Sequence, residues 1–317
     1  MKQQFLKEVM DGLQSNPKTL PSKYFYDKKG DQLFVQIMAL PEYYLTRAEH
    51  EILREQTAEI VEVWKVQKDE HFELLELGAG DGQKTKEILR FLTQNKFKFS
   101  YRPIDISQHA LDALEGTLES EIPELDVSPL QGDYFGVLSK LSTTPTKKIV
   151  LFLGSNMGNM SDDRATSFMQ SLSNELNEGD VVFIGLDKIK AKEVVLPAYN
   201  DKQGVTSAFN LNLLTRINRE LGADFNLKKF EHAPEYDPAT GIAKSFIRST
   251  ADQVVTIKEN DSKIEFKSGE KIHTEISRKY NDEILLKILE PSCFEIKAEF
   301  NDSQSLFGDF VLRRSKA

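Results

Sequence analysis

Cysteine is almost absent. Cys293 stands alone in a chain of 317 residues, so no internal disulfide can form, and no second Cys or His lies near it at metal-ligand spacing. A structural role is expected for it. The five histidines, His50, His71, His109, His232 and His273, lack H-x-x-H and H-E-x-x-H spacing, which removes the common zinc motifs, and no metal is expected. Long apolar runs are missing too. Nothing approaches the roughly 18 apolar residues of a membrane span, and the N-terminal "MKQQFLKEVMDGLQ" is amphipathic rather than a charged tip followed by an apolar block. The expectation is a cytoplasmic protein without a membrane partner. A net charge of −9 disfavours phosphate backbones, and no stretch is both basic and aromatic, so a small molecule is expected as partner and nucleic acid is not. "LGSNMGN" (153–159) is not G-x-S-x-G, which leaves Ser155 a poor candidate for a hydrolase nucleophile.

What is present is a soluble, globular composition, 39% hydrophobic and 29% charged, in a chain long enough for two domains, contiguous or interleaved. After residue 72 strands and helices alternate in the βαβ manner of a parallel sheet. "FELLELG" precedes helical "QKTKEILRFLTQ"; "FSYRPID" precedes helical "SQHALDALEGTLE". "LDVSPLQGD", "KKIVLFLG", helical "DRATSFMQSLSNELN" and "DVVFIGLD" complete that run. The pattern then breaks. Residues 190–240 read as helical and polar, and residues 241–276 as short antiparallel strands around the turn signals "PATG" and "KSGE". "SCFEIKAEF" and "LFGDFVLRR" read as a terminal hairpin returning to the sheet. The expected division is an aromatic-rich N-terminal segment (1–56) packing with the inserted unit, a core (57–188), an inserted unit (189–276) and C-terminal strands (277–317) completing the core sheet. No internal repeat or low-complexity tract is visible.

The chemistry begins at "FELLELGAGDGQKTKEIL" (72–89), a buried strand, a glycine-rich turn and a helix start. Gly78, Gly80 and Gly82 form G-x-G-x-G, whereas the dinucleotide fingerprint would need its third glycine at Gln83. Dinucleotides need a helix N-terminus free for a pyrophosphate. S-adenosylmethionine carries an amino acid end instead, and the turn fits it better. Glu76 ends the first strand, Gly78 and Gly80 let the backbone approach without a Cβ in the way, and Lys84 can meet the ligand's carboxylate. Asp105, closing "YRPID", is placed to accept from both ribose hydroxyls. NAD proteins use the same device, so Asp105 alone does not discriminate. "GDYF" offers Asp133 to the adenine amino group and Tyr134 or Phe135 as a stacking edge.

"LPSKYFYDKKGDQLFVQI", "LPEYYLTRAEHEIL", "LFLGSNMGNMS", "AYNDKQGVTSAFNLNLL", "INRELGADF" and "IHTEISRKY" together resemble the histidine-specific, S-adenosylmethionine-dependent Nα-methyltransferases of ergothioneine biosynthesis. The resemblance covers nearly the whole chain. It implies an α/β fold, a Rossmann-like class I methyltransferase core with a second α+β substrate-binding domain. It also implies a substrate site on Tyr26, Tyr43, Asn159, Tyr199, Glu275 and Ser277, with Tyr26 and Asn159 as the catalytic pair. In that scheme Asn159 and Tyr199 hold the substrate carboxylate, while Tyr43, Glu275 and Ser277 address the imidazole. Donors suit a carboxylate and an acceptor suits an imidazole N–H. Taken without the resemblance, the tyrosines read rather as core aromatics and Glu275 as a solvated strand residue.

The sequence departs from the family pattern in places. The glycine turn reads "GAGDGQKT" where a serine and threonine are common, "GSNMGN" replaces "GSTIGN", and the expected loop around Ala243, Lys244 and Ser245 lacks a methionine. A fungal branch of the family methylates a prenylated tryptophan, so an indole amino acid is the alternative substrate. A catalytically silent regulator that binds S-adenosylmethionine is the alternative of another class, and the retained polar set argues against it. An ammonium cannot attack a sulfonium, but two such charges about 4 Å apart repel by on the order of 4 kcal/mol at an effective dielectric of 20, roughly 3 pKa units. No dedicated strong base is therefore expected, with catalysis resting on positioning and exclusion of water. The implied product is the trimethylated betaine, hercynine, made by a monomer.

Overall fold

The computed structural model describes residues 2–80, 82–105, 108–132, 136–137 and 144–316. Helix α1 (Lys2–Gln14) leads through β1 (Lys18–Thr19) to α2 (Lys28–Met38) and α3 (Tyr44–Trp64). The alternating run follows: β2 (Phe72–Leu77), α4 (Thr85–Gln94), β3 (Phe99–Asp105), α5 (Gln108–Glu121), β4 (Leu130–Gln131), β5 (Lys147–Phe152), α6 (Asp162–Glu175) and β6 (Val181–Asp187). Next come α7 (Lys192–Tyr199), α8 (Val205–Leu221), β7 (Phe230–His232), β8 (Glu235–Asp237), β9 (Ile242–Ser249), β10 (Gln253–Ile257), β11 (Ser262–Phe266) and β12 (Lys271–Arg278). Helix α9 (Asp282–Leu289) and strands β13 (Phe294–Asn301) and β14 (Phe307–Arg314) close the chain. It divides into two compact units, one of residues 1–44 and 190–278, the other of 45–189 and 279–317.

The second of these units holds a seven-stranded sheet ordered β13-β14-β6-β5-β2-β3-β4. Strands β2 to β6 pair in parallel, and β14 runs antiparallel to both β6 and β13. β2 and β6 are buried at every position, Glu73 and Glu76 of β2 included, as befits strands covered on both faces. The expected terminal hairpin returns to the sheet with its last strand innermost, beside β6. "LDVSPLQGD" gives only the two residues of β4 and a lone Tyr101–Val127 bridge; Pro129 has no N–H to donate to a longer ladder.

Helix α3 shows why the unit boundary falls at residue 44 rather than after 56. Trp64 is fully buried against Phe183, ring centroids 5.8 Å apart. Gln56 Nε2 donates to the Asn301 carbonyl at 2.8 Å, and the Arg313 guanidinium to the Val63 carbonyl at 2.6 Å. Polar and aromatic anchors along its length thus belong to the sheet, whatever its position in sequence.

The other unit is α+β. Its sheet runs β1-β12-β9-β7 with β8 also on β9, and β10 and β11 form a separate two-stranded pair. Helices α1, α2 and α8 supply Val9, Leu13, Leu33, Leu213 and Ile217 to one core with Ile247 and Ile272 of the sheet. Two sequence expectations are corrected here. The 190–240 stretch includes β7 and β8, each three residues long and too short to show an alternating pattern. Ala243, Lys244 and Ser245 lie inside β9, not in a loop, with Ser245 directly opposite Glu275 of β12.

Candidate active site

The glycine turn sits at the C-terminal end of β2, where its three glycines do different work. Gly78 has φ 73° and donates its N–H to the Ile104 carbonyl at 3.0 Å, tying the turn to β3. Gly80 has φ 57°, and a Cβ built there meets nothing within 4 Å. The backbone at Gly80 therefore opens onto unfilled space. Gly82, at φ 65°, is a packing glycine: a Cβ would lie 2.5 Å from Leu114 Cδ1 on α5.

Around the turn, carboxylates and one ammonium are held by the protein itself. Glu76 is buried, and its two oxygens accept from Thr85 Oγ1 at 2.6 Å and from the Tyr101 hydroxyl. Burial pushes its pKa up to about 7, against the opposing pull of those two hydrogen bonds and of Lys84. The side chain thereby ties the start of α4 to β3. Lys84 is ion-paired with Glu49 of α3, which also accepts the Gly154 N–H at 2.7 Å. Burial opposes charge on Lys84, yet Glu49, with Asp309 and Glu76 beyond it, holds the pKa above its ordinary value. An ammonium has three donors, so the pairing with Glu49 leaves it capacity for a second acceptor. Asp105 is half-buried at the end of β3, and its carbonyl accepts the Gly132 N–H at 3.1 Å. Asn159 ends a 3-10 turn (Asn156–Asn159) in the same unit, with its side chain exposed. Ser155 just before it is buried in the left-handed region, its hydroxyl accepting the Asp187 N–H at 3.0 Å, which is a structural role. Asp133 and Tyr134 lie outside the described residues.

Glu49 and Asp309 escaped the sequence reading. The signal was available in "LTRAEHEIL", where Glu49 falls in register with buried Leu45, Ala48, Ile52 and Leu53: a carboxylate in the apolar stripe of a helix needs a partner. Asp309, in β14, is fully buried, and among the described residues neither of its oxygens has a hydrogen-bond partner. Gly185 leaves room for both carboxylates: a Cβ there would sit 2.0 Å from Glu49 Oε1 and 2.8 Å from Asp309 Oδ1. Burial first, then the negative charge of Glu49 and of Asp302, raises the Asp309 pKa well above the carboxylate range, while Lys84 lowers it.

The other unit gathers Tyr26, Tyr43, Tyr199, Glu275 and Ser277. Tyr26 is set by its neighbour: Asp27 caps α2, accepting from Gly30 N at 2.8 Å, from Asn212 Nδ2 at 2.9 Å and from Arg219 at 2.7 Å. Gly30 is required because a Cβ would lie 1.8 Å from the Phe25 carbonyl oxygen. The Tyr26 ring meets Phe34 and Phe209 edge-on, at 5.7 and 5.8 Å. It remains 44% exposed, and partial desolvation of its hydroxyl, then the negative charge of Glu275 and Asp31, raises its pKa. Tyr43 packs half-buried on the unit's core. The Tyr199 hydroxyl donates to Ser277 Oγ at 2.8 Å, and its carbonyl is 2.7 Å from His232 Nε2.

Glu275 and Ser277 owe their direction to a β-bulge. His273 pairs with Phe246, but Glu275 pairs with Ser245, so Thr274 is an extra residue in β12. Cross-strand partners share a face, and alternation along β9 then puts His273 with Phe246 on one face, and Ile272, Glu275 and Ser277 with buried Ile247, Ser245 and Ala243 on the other. Without the bulge Glu275 would share the face of His273. The inner face thus presents an acceptor and a hydroxyl side by side.

A seven-stranded α/β sheet with its last strand antiparallel and inserted beside β6, and with a glycine turn and a strand-end carboxylate at the C-terminal ends of β2 and β3, defines an S-adenosylmethionine-dependent methyltransferase. A crystal structure of such a methyltransferase from Clostridium acetobutylicum has the same fold, at a TM-score of 0.50 and 14% identity over 90% of this chain and 99% of that one. Within this class the chain belongs to the family described as histidine-specific, S-adenosylmethionine-dependent methyltransferases, whose model matches residues 5–314. A histidine N-alpha-methyltransferase of Mycolicibacterium smegmatis is 35% identical over 277 residues, covering 87% of this chain and 84% of the relative. One from Mycobacterium tuberculosis is 34% identical over 274 residues, covering 86% and 84%.

Proposed function

We propose that this enzyme transfers methyl groups from S-adenosylmethionine to the α-amino nitrogen of L-histidine, ending at the trimethylated betaine. The observation that carries the substrate assignment is the shared inner face of Glu275 and Ser277. A neutral imidazole offers one N–H and one acceptor nitrogen; a carboxylate takes the first, and a hydroxyl can turn to the second or to a bridging water. An indole offers an N–H and no second ring acceptor. Tyr43 adds a further polar group for the ring; Tyr199, whose hydroxyl donates to Ser277 Oγ, and Asn159 are assigned to the substrate carboxylate by the resemblance alone. Tyr26 orients the amine, and with Tyr43 supplies aromatic faces that tolerate a quaternary ammonium, at about 0.5–2 kcal/mol per contact.

On the cofactor side the open backbone at Gly80 and the donor capacity of Lys84 fit an amino acid end, and Asp105 fits a ribose diol. Asp133 and Tyr134 are assigned to the adenine on sequence alone. When bound, the cofactor supplies an electrophilic methyl on sulfur. The chain's part is to present a neutral amine in line with it and to exclude water. Glu76 is assigned to shaping the turn through Thr85 and Tyr101.

Incubating the protein with S-adenosylmethionine and each amino acid in turn, and following product mass, tests the proposal. Histidine carrying three added methyl groups is expected. A monomethyl product accumulating under excess cofactor would overturn the trimethylation, preferential methylation of tryptophan would overturn the substrate, and no product from any amino acid would leave the regulator reading. Asp105→Ala should remove charge-assisted bonds worth roughly 1.5–3 kcal/mol each and weaken S-adenosylmethionine binding at least tenfold. Calorimetry on a folded variant with unchanged affinity would reject that role.

A further inference from the structure

The bulged residue of β12 is not left to itself. Thr274 is buried, and its hydroxyl lies 2.9 Å from Asn210 Oδ1 and 3.0 Å from the Ser245 carbonyl oxygen. One hydroxyl proton spans two acceptors, one on α8 and one on the paired strand. Asn210 is itself buried, in the middle of a helix, where an amide side chain has low intrinsic preference and needs a tertiary partner. Helix α8 also fixes the other end of the substrate set. Phe209, one residue before Asn210, meets the Tyr26 ring, and Asn212, two residues after it, donates to Asp27 beside Tyr26. Three positions within about one turn of a single helix therefore hold both the Tyr26 turn and the bulge that aims Glu275.

We propose that Thr274 and Asn210 are positioning residues for the substrate: their contact pins the β12 bulge, and with it the inward direction of Glu275 and Ser277, at a set distance from Tyr26. Neither side chain is assigned a contact with histidine. A register slip of one residue would turn Glu275 to the other face, and a loosened bulge would misaim it by a fraction of that. Bulges re-aim side chains beside functional sites, and misplaced positioning groups weaken binding without abolishing the fold. The inference rests on the assignment of Glu275 and Ser277 to the imidazole.

The test compares Thr274→Val, which keeps the shape and removes the hydroxyl, with Thr274→Ser, which keeps the hydroxyl, and with Asn210→Ala, which removes the contact from the helix side. Thr274→Val and Asn210→Ala are expected to raise KM for histidine about tenfold, with a smaller change in kcat. S-adenosylmethionine Kd by calorimetry should stay within about twofold of wild type, and Thr274→Ser should restore KM to within about twofold. Wild-type KM in both Thr274→Val and Asn210→Ala, while Glu275→Ala raises it, overturns the pinning and leaves the substrate reading standing. Unchanged KM in Glu275→Ala overturns the substrate reading and the pinning with it. A rise in KM that Thr274→Ser does not reverse, or an equal loss of cofactor affinity, assigns Thr274 to general stability and also overturns the proposal.

Discussion

Glu275→Ala is expected to lower kcat/KM for histidine by about 10² or more and to narrow the gap between histidine and tryptophan. The magnitude follows from leaving a buried substrate N–H without its acceptor, a few kcal/mol, in a site whose discrimination depends on hydrogen-bonding that group. Tryptophan is expected to lose less, because its bicyclic ring need not bring its N–H to the acceptor that histidine loses. The comparison needs both amino acids in both proteins. A wild type that prefers tryptophan, or a Glu275→Ala enzyme that turns histidine over normally, would sink the assignment.

The second large effect is a pair of opposite signs beneath the cofactor turn. Glu49→Ala strips the ion-pair partner from Lys84 and the acceptor from the Gly154 N–H. Breaking a buried pair by removing one member typically costs 3 kcal/mol or more. A large drop in melting temperature is expected, together with weaker S-adenosylmethionine binding as Lys84 loses its orientation. Asp309→Asn should behave in the other direction as pH rises. Asp309 faces Glu49, Lys84 and Asp302, and its pKa is raised in the folded chain by burial, then by Glu49 and Asp302. A folded state that holds a proton the unfolded state has lost is stabilised in full below the ordinary carboxylate range. That stabilisation is lost as pH climbs toward the raised value, about 1.4 kcal/mol for each unit of separation. Asparagine has no such proton to lose. The stability difference between Asp309→Asn and wild type should therefore be small near pH 4 and grow in favour of the variant toward pH 8, measured by urea unfolding at each pH. A difference that does not change with pH would show that Asp309 titrates normally.

The local features of this protein were legible in its sequence because they depend on neighbours in the chain. Strand segments such as "FELLEL" and "VVFIGLD" alternate with helical ones after residue 72, so the parallel sheet followed from that order. The glycines at 78, 80 and 82 marked a glycine-rich turn, and the absence of a third fingerprint glycine at position 83 argued against a dinucleotide. The long ordered segments from "YFYD" to "TEIS" named the candidate substrate residues, and the family match bears out the recognition they supported.

Tertiary structure decided what depends on residues far apart. Gly82 is a packing glycine because Leu114, on another helix, occupies the space of its Cβ. Helix α3 joins the sheet unit from Leu45 onward because Trp64 and Gln56 find partners on strands more than a hundred residues away. Glu49 could be read as an anomaly of its helix, but its use, holding Lys84 and Gly154 together, could not. The face of Glu275 was the least legible of all. Alternation places it with His273, and a single inserted residue at Thr274 reverses that placement. A bulge is set by the register of two strands and the helix packed on them, and register is a property of pairing, which no one strand contains.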